Sequence, residues 1–391
     1  MRPHTTADVH KHQKEPLMIT IQKHFPLSKP YPIESLGSPE DLLFFDIETT
    51  GFSGKYSGLY LIGCLYQKDS TWNLIQWFAD TAASEKDLLH AFFTFLRSFS
   101  TLIHFNGDTF DIPYLLKRCA HYHLPYDFTA IDSLDIYRRI KPYGKLLGLK
   151  SLKQKAIEHF LNISRTDAYS GGELIQVYKD YLTSHDSSLL ELLLLHNEDD
   201  LKGMPSLLPI LSYPDFFDSA FALTTQNLCQ KHIPGQKSIA VLELTCEGRC
   251  LVPVPVQAHV PPICCSVEEN RLCLSIELLE GTLKHFYPNY KDYYYLIYED
   301  TAIHKSIGEY VDKTARTKAT SKTCYTKKSG LFLPQFAPIW EPVMKKEPKD
   351  KLLYAALSDV SFQSSEQLHR YLSQIFNHLE IKKAVSPQQA S

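Results

Sequence analysis

Two carboxylates stand two residues apart in this sequence, directly after an apolar run. The run 42–45 predicts a buried strand, and Asp46 and Glu48 follow it. Residues i and i+2 of a strand point to the same face, so both carboxylates share one face at the strand end. Like charges this close repel each other unless a proton or a cation neutralises them. The pair therefore indicates either a divalent-metal site with oxygen ligands or two solvated acids.

A third acid, Asp111, stands where a turn meets a predicted helix. Asn106 and Gly107 are turn residues, and Pro113 suits the first turn of a helix. Asp111 then either faces a site at this junction or caps the helix, and the local sequence leaves both interpretations open.

A histidine and a fourth acid lie near the end of a leucine-rich segment. The segment 187–202 predicts a mostly buried helix. His196 and Asp200 are four residues apart and so lie on one helix face, where a base and a carboxylate suit a single site. The alternative is a solvated helix segment. Asp199 is less well aligned with His196 and is the rival to Asp200.

The remaining patterns predict the elements that must position these groups. Short apolar runs predict strands at 18–25, 59–66, 71–79, 101–105 and 128–131. An apolar stripe predicts a helix that begins after Ser84. The fold class is therefore α/β, with a mixed sheet flanked by helices.

Four acids and one histidine on such a scaffold suit a particular chemistry. They can hold two divalent ions for in-line attack on a phosphodiester. His196 suits the orientation or deprotonation of the attacking water, because its unperturbed pKa lies near neutrality. The ligand set is all oxygen apart from this histidine, so Mg²⁺ and Mn²⁺ both fit.

The same residues resemble the motifs of a known group. They closely resemble those of the DEDD 3′-5′ exonucleases of the ribonuclease-H-like superfamily, and within them the bacterial YprB-like family. The motifs are Asp46-Ile47-Glu48-Thr49-Thr50-Gly51, Asn106-x-x-x-Phe110-Asp111 and His196-Asn197-x-x-Asp200. The resemblance spans roughly 42–211 and implies a ribonuclease-H-like fold with His196 as the water-orienting base. It also implies four metal ligands, namely Asp46, Glu48, Asp111 and Asp200.

Two details of these motifs bear on function. In the third motif, His196 and Asp200 are four positions apart, which is the spacing of the tyrosine-type branch of these exonucleases. A histidine, His196, stands where that branch has its tyrosine. Thr49 and Asn106 belong to the first and second motifs, and we expect both to contact nucleic acid.

The composition suits a soluble globular protein with two domains. The chain has 391 residues, of which 44% are hydrophobic and 22% charged. The net charge of −3 does not indicate a nucleic-acid partner, so such binding must use a local basic surface. No apolar run approaches the length of a membrane span, so no membrane partner is expected. The nine cysteines include no CxxC pair and predict either buried small side chains in a reducing cytoplasm or a zinc site.

The pattern changes after Pro214 to short apolar runs separated by turn residues, which predicts an antiparallel β domain of short strands. The tyrosine-rich stretch 284–295 precedes a strip of basic residues with no acid between them. Aromatic rings beside cations suit single-stranded nucleic acid, and the alternative is a core strand with a solvated basic loop. The basic strip comprises Lys313, Arg316, Lys318, Lys322, Lys327 and Lys328.

We therefore expect a flexible tail and lead-in strand over 1–40, a ribonuclease-H-like exonuclease domain over 41–213, and a β-rich domain over 214–391 that binds nucleic acid. The expected function is that of a cytoplasmic, metal-dependent 3′-5′ exonuclease that cleaves single-stranded DNA or RNA with two metal ions. The alternatives are a structure-selective endonuclease and a catalytically silent nucleic-acid-binding module. A silent module would be expected to lack a ligand, whereas here the acid set is complete.

Overall fold

The computed structural model describes residues 18–26, 31–163, 171–232, 234 and 238–381. The expected tail before residue 18 lies outside the described residues. The chain divides into two units, which we call the first and the second unit. The first comprises Met1–Arg139 and Ser151–Pro209, and the second comprises Ile140–Lys150 and Ile210–Ser391.

A six-stranded mixed sheet forms the centre of the first unit. Its strands are β1 (Met18–Phe25), β2 (Leu42–Thr49), β3 (Leu59–Lys68), β4 (Thr71–Ala79), β5 (Thr101–His104) and β6 (Asp132–Asp135). Their order is β1-β4-β3-β2-β5-β6. Strands β2, β3 and β4 form an antiparallel meander, whereas β5 runs parallel to both β2 and β6. Strand β2 thus lies in the interior of the sheet, with neighbours on both sides.

Helices flank this sheet, and apolar side chains fill the space between them. The helices of this part of the chain are α1 (Glu85–Leu96), α2 (Asp111–His121), α3 (Ile136–Ile140), α4 (Gln154–Phe160), α5 (Gly171–Ser184) and α6 (Ser187–Leu207). Phe45 of β2 stacks on Phe92 of α1 with ring centroids 5.6 Å apart. Ile47, between the two carboxylates of β2, is buried. The strand is therefore held in place by its apolar side chains.

Two elements of the first unit differ from the sequence prediction. Helix α6 continues to Leu207 rather than ending at residue 202. Pro205 lies inside this helix, where it has no backbone N–H to donate to the carbonyl of Leu201. The strand predicted over 128–131 is also wrong, because the strand is the polar segment Asp132–Asp135. Its parallel pairing with β5 places it in the sheet although it has no apolar run.

The described residues of the second unit form three antiparallel sheets of three strands each. Their members are β7 (Ala222–Lys231), β8 (Ile239–Val260) and β9 (Ile263–Glu277); β10 (Leu279–Phe286), β14 (Tyr325–Gln335) and β15 (Leu353–Ala356); and β11 (Tyr293–Leu296), β12 (Thr301–His304) and β13 (Arg316–Lys318). Within the described part of this unit the helices are α7 (Ser212–Asp218), α8 (Lys305–Gly308) and α9 (Ser365–His378). The predicted fold class, a mixed α/β sheet with helices followed by a mainly antiparallel β region, is confirmed.

The prediction of short strands is wrong for the longest hairpin of the second unit. Strand β8 has 22 residues and pairs with the 15 residues of β9. The prolines and Gly248 of this region interrupt the apolar pattern and so resemble turns. In the structure they lie in one strand, whose pairing shifts between Glu247 and Val252 and again before Val256.

None of the helices in the described residues is long and apolar enough to span a membrane.

Candidate metal centre

Strand β2 places Asp46 and Glu48 on one face near its carboxyl end. Asp46 pairs with Gly63 of β3, and Glu48 pairs with Leu61. The pairing shifts between Glu48 and Thr49, which is a β-bulge of the kind that redirects side chains near functional sites. Glu48 is 8% exposed, so this carboxylate has little contact with water.

Asp111 enters the site from the start of α2. It is the first residue of that helix, and Phe110 occupies the N-cap position, so the interpretation of Asp111 as the helix cap is wrong. Its side chain is 6% exposed. Its charge acts on both Asp46 and Glu48, which places it beside the β2 pair.

Helix α6 brings His196 and Asp200 to the same place. Nε2 of His196 lies 3.5 Å from Oδ2 of Asp200 and 3.6 Å from Oε1 of Glu48. One ligand atom from each of these three residues lies within 4.8 Å of the other two. Among the described residues, the rival acid Asp199 belongs to no such group.

The pKa values of the buried acids show the effect of this crowding. Burial raises the pKa of the Asp46 carboxyl well above its ordinary value, and neighbouring carboxylates raise it further. The same two causes raise the pKa of Glu48 to about 8. Burial raises the pKa of Asp111 to about 7, with a smaller contribution from the charge of Asp135. Without a cation, these carboxyls therefore hold protons at pH values where isolated acids are ionised.

The donor set fits divalent cations. Four carboxylates and one imidazole supply hard oxygen ligands and a single nitrogen, which suit Mg²⁺ or Mn²⁺. A cation would neutralise the repulsion that raises these pKa values, because an opposite charge favours the ionised carboxylate. The candidate ligands are Asp46, Glu48, Asp111 and Asp200, with His196 beside them.

Asp46 is held by residues whose role the sequence alone does not reveal. Asn197 Nδ2 donates a hydrogen bond of 2.8 Å to Asp46 Oδ2. Gln76 Nε2 in turn donates to Asn197 Oδ1 at 2.8 Å. A Cβ atom on Gly63 would lie only 1.9 Å from Asn197 Oδ1, so glycine is required there for α6 to approach β3. Asn197 belongs to the third motif, but neither Gln76 nor Gly63 stands in a pattern that indicates this contact.

A buried ion pair fixes the turn that follows the β2 carboxylates. Arg118 Nε and Nη2 donate to the two Glu85 carboxylate oxygens at 2.5 and 2.6 Å. Arg118 Nη1 also donates to Gly54 O at 3.1 Å, and Leu59 N donates to Glu85 Oε1 at 3.0 Å. The pair thus holds both the turn and the start of β3. The sequence does not predict it, since the partners lie on separate helices.

A second group of possible ligands contributes to the loop before Asp111. It comprises His104, Asp108 and Asp135. His104 Nδ1 accepts a hydrogen bond from Gly107 N at 3.0 Å, and Asp135 Oδ1 accepts one from Asn106 N at 2.9 Å. Ser133 Oγ donates to Asp108 Oδ1 at 2.6 Å and lies 2.8 Å from His104 Nε2. All three side chains thus contact neighbouring residues, and these contacts hold the loop before Asp111 in shape.

Thr49 and Asn106, the two predicted nucleic-acid contacts of the first unit, make hydrogen bonds within that unit. Thr49 Oγ1 donates to Gly51 O at 2.9 Å. Asn106 has a positive φ of 67° and accepts at Oδ1 from Thr109 Oγ1 at 2.7 Å. Both side chains shape the turns next to the site, and their contact with nucleic acid stays a prediction.

The basic strip of the second unit divides into two groups. Lys327 Nζ lies 2.9 Å from Asp300 Oδ2, and Lys328 Nζ lies 2.7 Å from Asp359 Oδ2. Arg316 donates to Gly308 O and lies over the Tyr294 ring, 4.4 Å from its centroid. The other members of the strip, Lys313, Lys318 and Lys322, are exposed. The structure therefore brings three of the six cations into contacts within the unit.

The nine cysteines are all free thiols. Within the ranges that the structure describes, none belongs to a group of three or more possible metal ligands. Burial raises the pKa of Cys265, Cys246 and Cys64, as expected for small buried side chains.

Comparison with known families finds a match that covers the residues of the candidate metal centre. Residues 43–212 match the RNase_H_2 family, described as RNase_H superfamily. This range contains Asp46, Glu48, Asp111, His196 and Asp200. Residues 43–212 are therefore similar to the RNase H superfamily. No curated protein matches the chain in sequence.

Solved structures give weaker likenesses. The family B DNA polymerase of Pyrobaculum calidifontis is 12% identical with a TM-score of 0.35, and the match covers 64% of this chain and 35% of the polymerase. The zinc-bound complex of E. coli ExoI with ssDNA is 12% identical with a TM-score of 0.26, over 88% of this chain and 74% of that one. A complex of ExoI with SSB-Ct is 14% identical with a TM-score of 0.25, over 53% and 55%. This chain thus spans about a third of the polymerase. The similarity to the RNase H superfamily rests on the family match over residues 43–212.

Proposed function

We propose that this protein is a metal-dependent 3′-5′ exonuclease of the DEDD type that hydrolyses phosphodiester bonds at the ends of single-stranded nucleic acid. The observation that supports it is the convergence of carboxylates from β2, α2 and α6, with the His196 ring beside two of them, Glu48 and Asp200. Nucleases of the RNase H superfamily typically use divalent metals, and this domain has the acids that such chemistry needs. The motif resemblance to the YprB-like family supports the same assignment.

The carboxylates have one task in this mechanism. Asp46 and Glu48 on β2, Asp111 on α2 and Asp200 on α6 would hold two Mg²⁺ or Mn²⁺ ions. Bound ions supply positive charge to the scissile phosphate and to the oxygens that enter and leave at phosphorus. Since the ligands come from three separate elements, only the folded domain assembles the site.

His196 has a different task. Its Nε2 atom lies 3.5 Å from Oδ2 of Asp200 and 3.6 Å from Oε1 of Glu48, at the edge of the proposed metal site. From there the ring can orient the attacking water and accept its proton as the new phosphorus–oxygen bond forms. The proton passes from the water to Nε2 while the bond between phosphorus and the 3′ oxygen of the remaining strand breaks on the opposite side of the phosphorus. That 3′ oxygen then takes up a proton from solvent, and the terminal nucleotide leaves with the phosphate.

The second unit would hold or select the strand. Exposed cations attract phosphates, and aromatic side chains can stack on bases. Lys313, Lys318 and Lys322 of the basic strip are exposed. We also place the activity in the cytoplasm, where free thiols such as these nine persist.

A panel of end-labelled oligonucleotides tests the proposal. Single- and double-stranded DNA and RNA are incubated with the full chain in Mg²⁺, in Mn²⁺ and in a chelator. We expect a 5′-labelled single strand to shorten stepwise from its 3′ end, only when metal is present.

Other outcomes of the panel would identify the alternatives. Internal cuts at junctions or at single-strand boundaries would replace the exonuclease with a structure-selective endonuclease. Tight binding without cleavage in either metal would identify a catalytically silent binding module. Stepwise shortening that persists in excess chelator would contradict the metal-dependent mechanism.

A further inference from the structure

Gln76 is a fully buried polar residue in the middle of the sheet. It lies on β4, two strands away from Asp46, and is 0% exposed. Its Nε2 atom donates to Leu194 O at 2.9 Å and to Asn197 Oδ1 at 2.8 Å. Both partners of this NH₂ group lie on α6, the helix that carries His196 and Asp200, whereas Gln76 Oε1 has no hydrogen-bond partner among the described residues.

The partners of Gln76 leave one orientation for its side-chain amide. The backbone carbonyl of Leu194 can only accept a hydrogen bond, so Gln76 must turn its NH₂ group towards α6. The same NH₂ group meets Asn197, which must therefore present its acceptor, Oδ1. The Nδ2 group of Asn197 is then left to face Asp46.

This direction matters because an amide can rotate by 180° within the same space. Such a rotation exchanges oxygen and nitrogen without a change in shape. Asn197 is 0% exposed and packs against Gly63, so its position is fixed by packing while its direction is not. A rotated Asn197 would turn Oδ1 towards the Asp46 carboxylate and replace an attraction with a repulsion.

We propose that Gln76 is a positioning residue that sets the direction of the Asn197 amide and so keeps a donor on Asp46 Oδ2. This hydrogen bond fixes the position of one Asp46 oxygen and leaves the second oxygen available as a ligand. The inference rests on the proposed metal-dependent function and adds to it a residue that contacts neither metal nor substrate.

The test compares Mn²⁺ affinity in matched variants of the full chain. Gln76→Met removes the donor and keeps the length of the side chain. Removal of residues behind metal ligands typically weakens metal binding about 10- to 100-fold, and we expect a decrease in that range. Gln67→Met is the control, because Gln67 is also buried, at 3% exposure, on the neighbouring strand β3.

A double-mutant cycle shows whether Gln76 acts through Asn197. Asn197→Leu removes the intermediate group, so Gln76→Met should have no further effect on Mn²⁺ affinity in that background. A role in packing alone would lower the melting temperature but leave Mn²⁺ affinity equal to that of Gln67→Met. Gln76→Leu replaces Gln76→Met if circular dichroism shows that the methionine variant is unfolded.

The outcomes separate this inference from the proposed function. If the wild-type chain binds no Mn²⁺, the metal-dependent function fails and the inference fails with it. If the wild type binds Mn²⁺ but Gln76→Met binds it as Gln67→Met does, the inference alone is overturned. Additive decreases in Gln76→Met and Asn197→Leu would overturn it as well. The inference is supported if Gln76→Met lowers Mn²⁺ affinity in the wild-type background but causes no further decrease in the Asn197→Leu background.

Discussion

Four carboxylates held close together away from water are unstable unless protons or cations neutralise them. In this site burial is the largest cause of the raised pKa of Asp46, and the charges of the other three acids add to it. The hydrogen bond from Asn197 acts in the opposite direction and favours the ionised form. We therefore expect the site to exchange protons for cations as the pH rises or metal is added.

The raised pKa values predict how metal-free stability depends on pH. The pKa of Glu48 rises from 4.5 to about 8, and that of Asp111 from 3.8 to about 7. An acid with a raised folded-state pKa favours folding below its unfolded pKa, and this contribution disappears as pH rises through the folded value. The melting temperature of the metal-free protein should therefore fall between about pH 5 and pH 8, relative to a Glu48→Gln/Asp111→Asn variant.

Mn²⁺ should reverse this destabilisation, because it binds the ionised carboxylates. Differential scanning fluorimetry should show a larger Mn²⁺-induced rise in melting temperature at pH 8 than at pH 6. The double variant should show little rise at either pH. Equal rises at both pH values in the wild type would contradict the coupling between protons and metal.

His196 is predicted to act on the water rather than to hold the metal. His196→Gln should lower kcat by roughly 10²- to 10⁴-fold, the range typical of general acid–base catalysis. Its Mn²⁺ affinity should stay close to that of the wild type, as measured by calorimetry. A parallel collapse of metal affinity would instead make His196 a ligand.

At the scale of elements, the site depends on how closely α6 approaches β3. A Cβ atom on Gly63 would lie 1.9 Å from Asn197 Oδ1 and 2.6 Å from Leu201 Cδ1. Gly63→Ala should therefore force α6 outwards and lower the free energy of unfolding by about 1–3 kcal/mol, as overpacking does. Urea denaturation measures this decrease.

Gly58→Ala is the matched control for this prediction. A Cβ atom at Gly58 would meet nothing closer than 3.6 Å, which is ordinary van der Waals contact. The control should therefore unfold at close to the wild-type urea concentration. Equal destabilisation of the two variants would show that the approach of α6 to β3 is not tightly constrained at Gly63.

The elements that carry the acids can be predicted because their patterns are local. Strand β4 has the limits that its sequence predicts, Thr71–Ala79, and the apolar run before Asp46 predicts a buried strand. Strand β6 cannot be predicted, because its polar sequence Asp132–Asp135 is a strand only through its pairing with β5. The contacts of Gln76 and Arg118 escape prediction for a related reason, since they join residues far apart in sequence.

At the scale of the whole molecule, the two units divide the proposed work between cleavage and strand binding. The change after Pro214 from helical to β patterns is visible in the sequence. The 22-residue length of β8 is not visible, because prolines inside a long irregular strand look like turns. The basic strip can also be recognised in the sequence, but only the structure shows that Lys327 and Lys328 form ion pairs with Asp300 and Asp359.

The division of the basic strip predicts unequal effects on binding. The triple variant Lys313→Gln/Lys318→Gln/Lys322→Gln should weaken binding to single-stranded oligonucleotides and flatten its salt dependence, by about 0.7 in log–log slope for each phosphate that is no longer neutralised. Fluorescence anisotropy over a salt series measures both quantities. Lys327→Gln/Lys328→Gln should have the smaller effect, because Asp300 and Asp359 already pair with these lysines. The reverse order would contradict this assignment.

The most direct test of the metal-dependent site replaces one carboxylate with its near-isosteric amide. Asp46→Asn keeps the shape of the side chain but removes the charge that would hold a divalent ion. Since the metals contribute several kcal/mol of transition-state stabilisation, cleavage of an end-labelled single strand in Mg²⁺ should fall by at least about 100-fold. Asp69→Asn is the control, because Asp69 is exposed in the turn between β3 and β4 and has a positive φ of 50° that asparagine accepts. We expect stepwise 3′ shortening by the wild type and Asp69→Asn, and shortening at least about 100-fold slower by Asp46→Asn. A folded Asp46→Asn protein that cleaves at the wild-type rate would contradict the metal-dependent site.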